Sequence, residues 1–180
     1  MKIMDFNRIR VKELKEQDPN LKSIPKEAGV YRWWFPKELA DILLSSLKGI
    51  DLDLINKEEI NNKEYWCLYF GIAKNLRQRI HWHACQNHTT STVKRGFLST
   101  LRQSVSSLMK LDQTTSTDKV NDILEQCYWD WETTDTKDTA KNIEKTELSN
   151  GYFPLNVQEN KSVPPSVLAQ LKELRKRHKK

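Results

Sequence analysis

Between Gly71 and Lys110 the chain has no aspartate and no glutamate. That absence leaves Lys74, Arg77, Arg79, Lys94, Arg95, Arg102 and Lys110 without a local counter-charge, together with His81, His83 and His88. Cysteine is scarce too. Cys67, Cys85 and Cys127 are odd in number and form no Cys-x-x-Cys pair, which excludes a zinc ribbon or a dithiol redox motif and fits a reducing, cytoplasmic setting. No apolar run approaches the roughly 18 residues of a membrane-spanning helix. Met1-Lys2-Ile3-Met4-Asp5 lacks the long apolar region of a signal peptide. No internal repeat is visible.

What is present is enough for one domain. The 180 residues are 37% hydrophobic and 30% charged, with a formal net charge of +6, and such a chain can bury a proper core. Charge is unevenly dealt: residues 36–64 sum to −3, residues 111–150 to −6 and residues 164–180 to +5. The acid-free stretch, at +7, exceeds the total, so a polarised molecule with a basic face toward a polyanion is expected.

Residues 1–23 form a charged N-terminal segment with room for a short helix near Ile9–Leu14. Val30–Phe35 reads as a strand ended by Pro36, and Tyr65–Gly71 as a second. Between them, residues 36–64 carry helical spacing through Leu39, Leu43 and Leu47 and then a charged excursion. Asn75 with Gln78 three positions on marks a helix start. Phe97, Leu98, Leu101, Val105 and Leu108 predict an amphipathic helix after a polar loop. Val120–Leu124 predicts a short helix and Cys127–Trp131 a third strand. Asp138–Leu148 reads as a helix stopped at Asn150-Gly151, and Pro164-Pro165-Ser166 opens a basic C-terminal helix over 161–180. The fold class is therefore α+β, a small three-stranded antiparallel sheet flanked by helices, with its main domain over 24–160.

Arg79 and His83 lie one turn apart on the helix that follows the second strand. Arginine offers a planar fork that suits phosphate oxygens, and histidine moves protons near neutral pH. Ordinary solvated side chains would show the same spacing. His81, Cys85 and His88 share a helical spacing as well, but no second Cys/His cluster completes a zinc site.

Wider order settles more than spacing. Gly29-Val30-Tyr31, then Tyr69-Phe70-Gly71, then Asn75-Leu76 with Arg79, and finally Glu144 twelve positions before Asn156 with Pro154 two before it, resemble the GIY-YIG nuclease family. The resemblance spans most of residues 24–156. It implies a metal-dependent DNA endonuclease in which Glu144 holds Mg²⁺ or another divalent cation such as Mn²⁺. Tyr31 and Tyr69 would be the active-site tyrosines, either of them the base, and Arg79 would steady the phosphoryl charge. His83 would assist proton transfer, and Asn156 would orient the site. Glu147 is the weaker rival of Glu144. Two departures stand out. Phe70 replaces a small aliphatic residue, and 37 residues divide Tyr31 from Tyr69, so 36–64 is an insertion fit to be a lid, spacer or partner surface. Lys74, Arg77, Trp82, Lys94, Arg95 and Arg102 are expected to hold nucleic acid, DNA in the first place with RNA left open. The other tryptophans are expected in the core. The alternative function is a nuclease-derived binding module without activity.

Overall fold

The aromatic run Val30–Phe35 is buried on both its faces, which a central strand requires and an edge strand does not. A computed structural model of the chain, describing residues 4–179, places it so. The strands are β1 (Asn7–Arg10), β2 (Gly29–Pro36), β3 (Lys57–Ile60), β4 (Lys63–Ala73) and β5 (Tyr128–Thr133). They form one antiparallel sheet in the order β1-β5-β2-β4-β3. The helices are α1 (Val11–Gln17), α2 (Lys37–Leu44), α3 (Leu76–Cys85), α4 (Thr90–Lys94), α5 (Thr100–Leu108), α6 (Thr117–Glu125), α7 (Lys137–Asn150) and α8 (Pro165–Arg177).

The α+β class holds, but the sheet has five strands rather than the expected three. The two additions are short charged edges. β1 comes from the N-terminal segment, and β3 from the insertion, where Asn61 and Asn62 take positive φ in a two-residue turn onto β4, as a tight hairpin demands. Arg8 on β1 donates to Glu58 on β3 at 2.7 and 2.9 Å. These two strands are opposite edges, four strand spacings apart, or about 19 Å in a flat sheet. The contact therefore requires the sheet to curl until its edges face each other.

Each face of the sheet has its own core. Tyr31, Trp33, Phe35, Trp66, Trp129 and Trp131 point to the side covered by α2, α3, α5, α6 and α8. Val30, Trp34, Cys67, Phe70 and Tyr128 point to the other side, against Ala140 and Leu148 of α7 and against Phe153. On that second side Asp130, fully buried, accepts from Arg32 at 2.7 and 2.9 Å and from the Trp34 indole at 2.9 Å. The buried carboxylate is thereby saturated with donors, as a charge in the interior must be. The register of β2 on β4 slips between Trp33 and Trp34, with Trp33 opposite Tyr69 and Trp34 opposite Cys67. This bulge leaves Leu68 as the extra residue and sits directly beside Tyr69.

α8 packs on α5 with Val167 and Leu171 buried. The basic C-terminal stretch is thus tied to the core by its apolar side. No helix among the described residues is long and apolar enough to cross a membrane.

Candidate active site

Tyr31 sits across Gly71 in the β2–β4 register. A methyl group on Gly71 would run into the ring and hydroxyl of Tyr31, so the tyrosine lies where only a glycine leaves room. Gly29 is constrained in the same way, by the Glu132 carbonyl of β5 and the Leu76 side chain that opens α3. The glycines of both tripeptides are therefore close-approach positions. One admits the Tyr31 side chain, and the other lets α3 dock on the sheet.

The helix start at Asn75 holds: its side chain accepts from the Gln78 amide at 3.0 Å. From there α3 brings His83 under Tyr31. The Tyr31 hydroxyl and His83 Nε2 are 2.8 Å apart, and His83 Nδ1 lies 2.6 Å from Ser99 Oγ. Ser99 also caps α5, accepting from the Arg102 amide at 3.4 Å. A hydroxyl that already accepts one N–H still has a proton to give and a lone pair to receive, so Ser99 serves either imidazole tautomer. Sequence reading missed Ser99. Its one local signal is a serine at the start of an amphipathic helix, and that speaks only of capping.

Burial sets the protonation states. Burial raises the Tyr31 phenol well above its ordinary range, and the neighbouring Tyr69 adds to this while Arg79 opposes it. Burial likewise holds His83 well below the usual histidine range, with the charges of Arg79 and Arg102 acting in the same direction. At neutral pH the pair is a neutral phenol on a neutral imidazole.

Tyr69 stands 6.2 Å from Tyr31, ring centre to ring centre, and is partly exposed. It lines a cleft of about 470 Å³ with Glu144, Asn156, Thr100 and Gln103. Ile143 of α7 packs into the second core, and Glu144, the next residue, turns to this cleft. Glu144 has no hydrogen-bond or ion-pair partner among the described residues, and burial raises its carboxyl above the usual range, with the Glu159 charge adding to it and Arg79 and Lys141 opposing. Glu147 does not line the cleft. Arg79 is also without an ion pair among the described residues. Its guanidinium lies 4.9 Å from the centre of the Trp82 ring, a cation–π contact that fixes the fork without using up its donors. Lys74, Arg79 and Trp82 line a smaller cleft of about 320 Å³.

Asn156 lines the cleft, but its side chain is committed to the backbone of β4. Its amide donates to the Phe70 carbonyl at 2.7 Å and accepts from the Phe70 N–H at 2.9 Å. Beyond the short β3, this edge of β4 has no strand partner among the described residues; the Leu155 N–H donates to the Leu68 carbonyl at 3.0 Å, and the Asn156 side chain takes the place of a partner at Phe70. It holds the strand that carries Tyr69.

Among the expected nucleic-acid contacts, Lys74, Lys94 and Arg95 are exposed, though Lys94 and Arg95 on α4 line neither cleft. Arg77 is occupied as a clamp, donating to the carbonyls of Ile24 at 2.8 Å and Lys22 at 3.0 Å. Arg102, expected to hold a phosphate, must be corrected. It is fully buried and donates to His88 Nε2 at 2.8 Å, the His83 carbonyl at 3.0 Å and Asn121 Oδ1 at 2.7 Å. No phosphate can reach it. His88 is committed to this network, and burial brings its pKa down to about 4. Trp33, Trp34, Trp66, Trp129 and Trp131 are buried, and Trp82 is the half-exposed one.

Among the described residues no three His, Cys, Asp or Glu side chains gather into a multi-ligand metal cage. A lone, half-buried carboxylate without a cationic partner is instead the donor set of a hard divalent ion that keeps most of its waters. Glu144 fits that description.

The curled antiparallel sheet, the paired tyrosines, the helix-borne arginine and the single carboxylate define a phosphodiesterase-like site on a small α+β domain. Comparison with known families agrees: the GIY-YIG catalytic domain matches residues 29–177, and the chain belongs to that family. No curated protein and no solved structure matches it significantly.

Proposed function

We propose that the protein is a metal-dependent endonuclease that hydrolyses DNA phosphodiester bonds in the cleft beside Tyr69 and Glu144. Family membership supports nuclease activity in general. The observation that carries the finer reading is convergence. Separate stretches of chain bring together a Tyr31–His83 proton pair, an arginine free of carboxylates and an unpartnered, half-buried glutamate.

Glu144 would hold a divalent cation such as Mg²⁺ or Mn²⁺, which when bound lowers the charge on the phosphate and eases departure of the leaving oxygen. The chain's own groups do the rest. Arg79, seated on Trp82, presents its fork to the phosphoryl oxygens as charge builds there. Tyr69, at the cleft wall, passes a proton from the attacking water to the buried Tyr31 beside it, whose own hydroxyl proton passes to His83 Nε2. The new P–O bond forms in line as the bond to the 3′ oxygen breaks, leaving a 5′-phosphate and a 3′-hydroxyl that takes its proton from solvent. Without substrate His83 is a weak base, because it is buried near two arginines. A bound phosphodiester brings negative charge beside Arg79 and offsets that handicap. Ser99 stabilises the imidazole through Nδ1, and Tyr69 positions the water at the cleft wall.

Nicking of supercoiled plasmid with Mg²⁺ tests this reading. Wild type is expected to cleave, and Glu144→Ala and Arg79→Ala to lose at least a hundredfold in rate. Wild-type cleavage no faster than either variant, with salt-sensitive binding retained, would instead establish a binding module without activity.

A further inference from the structure

The cleft that holds Glu144 has a second wall, made by α8. Val167 and Leu171 bury the apolar side of that helix. Lys172, Arg175 and Lys176 share one helical face, Lys179 follows just past the helix end, and all four line the cleft. The helix's own acid, Glu173, is turned away and lies 4.0 Å from Arg177. A solvated basic tail has no reason to sort its charges in this way.

Arg175 separates this face further from a solvated one. It is part-buried, it has no carboxylate partner among the described residues, and its one side-chain bond is to the neutral Gln103 Oε1 at 3.2 Å. A guanidinium carries five N–H donors, and placing it in a cleft wall without an anion costs desolvation that nothing nearby repays. Its backbone carbonyl accepts from Gln113 at 2.8 Å, so the helix is anchored where Arg175 stands. From Lys172 to Lys176 the face runs about 6 Å along the helix, and Lys179 follows just past the helix end at Arg177.

We propose that Arg175, with Lys172, Lys176 and Lys179, forms a second phosphate site that holds the nucleic-acid backbone next to the phosphate being cleaved. The proposal rests on reading the cleft as the nuclease site. Arg175 is then a positioning residue: it seats the strand so that the scissile phosphate falls between Arg79 and Glu144, without touching the reacting atoms.

The test is binding of a short fluorescent DNA duplex in EDTA, followed by anisotropy over a salt series, alongside plasmid nicking with Mg²⁺. The exposed-lysine variant K172Q/K176Q/K179Q is expected to keep its melting temperature and to bind at least tenfold more weakly. Its plot of log affinity against log salt should be shallower by about one per lysine removed. Arg175→Gln should raise KM in nicking more than it lowers kcat, with Arg175→Lys recovering most of the loss, whereas Glu144→Ala should abolish nicking without weakening duplex binding. Wild-type affinity and salt slope in the triple-lysine variant overturn the phosphate site, whether or not the protein cuts DNA. Wild type that binds with the expected slope difference but never cuts sinks the nuclease reading and leaves the phosphate site standing.

Discussion

Replacing Asn156 by alanine removes both hydrogen bonds that close the free edge of β4 at Phe70. Phe70 is fully buried and Asn156 nearly so, so the Phe70 N–H and carbonyl would be left without partners. Each orphaned buried group costs about 1–3 kcal/mol. Some water entry along the shortened side chain brings the expected loss to about 3 kcal/mol, near the lower half of the two-group sum. With a urea dependence of about 2 kcal/mol per molar, the unfolding midpoint should fall by about 1.5 M. Asn156→Asp separates the two bonds. It keeps an acceptor for the Phe70 N–H but sets an oxygen against the Phe70 carbonyl. In its neutral form that carboxyl can donate to the carbonyl, so its pKa is raised in the folded state above the unfolded value. Its stabilising contribution is then fully present below the unfolded pKa of about 4 and is lost as pH rises through the folded pKa. Measured against Asn156→Ala at each pH, Asn156→Asp should be the more stable at pH 4 and should lose that advantage by pH 7. A midpoint shift under about 0.3 M for Asn156→Ala would refute the view that this side chain substitutes for a missing strand.

The same site yields further expectations. Glu144→Gln should abolish cleavage yet raise the melting temperature at pH 7 in EDTA. Burial lifts the folded pKa of Glu144, so its ionisation weakens folding as pH rises above the usual carboxylate range, and the gain should vanish near pH 4. Gly71→Ala should cost about 1–3 kcal/mol by denaturant unfolding and lower kcat, because the methyl displaces the Tyr31 ring and hydroxyl. Ser99→Ala should lower kcat more than it changes KM and destabilise by about 1 kcal/mol through loss of the α5 cap; an unchanged kcat would exclude Ser99 from supporting His83. Arg102→Met should destabilise the fold and leave the salt slope of DNA binding at the wild-type value, since a buried guanidinium meets no phosphate.

Sequence carried the centre of this fold better than its margins. β2 and β4 were legible because runs of aromatic and branched residues can be satisfied only inside a sheet, and α3 because its capping residues are local. Asn7–Arg10 and Lys57–Ile60 are short and polar, with no periodicity to betray a strand. They become β1 and β3 through pairing partners far along the chain, and the curl that joins Arg8 to Glu58 is a property of the whole sheet. α4 falls where a polar loop is expected, because its capping box uses Thr89 and Thr92, residues common in loops, with Val93 as its single buried side chain. The location of Arg102 was illegible for a similar reason. Its acceptors come from α3, from His88 in the loop after it and from α6, and no spacing within the chain reveals that they converge. The Ser99 hydroxyl meets His83 across sixteen positions, so its second role is also tertiary.

The missing acids of residues 71–110 can now be given a physical reason. Three cations or latent cations in this stretch act through being unneutralised. Arg79 has no carboxylate partner among the described residues, so the donors of its fork stay free. Arg102 is buried against neutral acceptors only, and its full charge, with that of Arg79, helps to hold His83 neutral. An aspartate or glutamate on α3 or α5 within reach of either arginine would undo both effects, pairing the fork and raising the His83 pKa. The carboxylate is therefore brought in from α7, which reaches the cleft from the opposite core. It faces the cleft with no counter-charge at contact distance and feels Arg79 from across the site. With the acid on α7 and Arg79 on α3, neither has an ion-pair partner among the described residues.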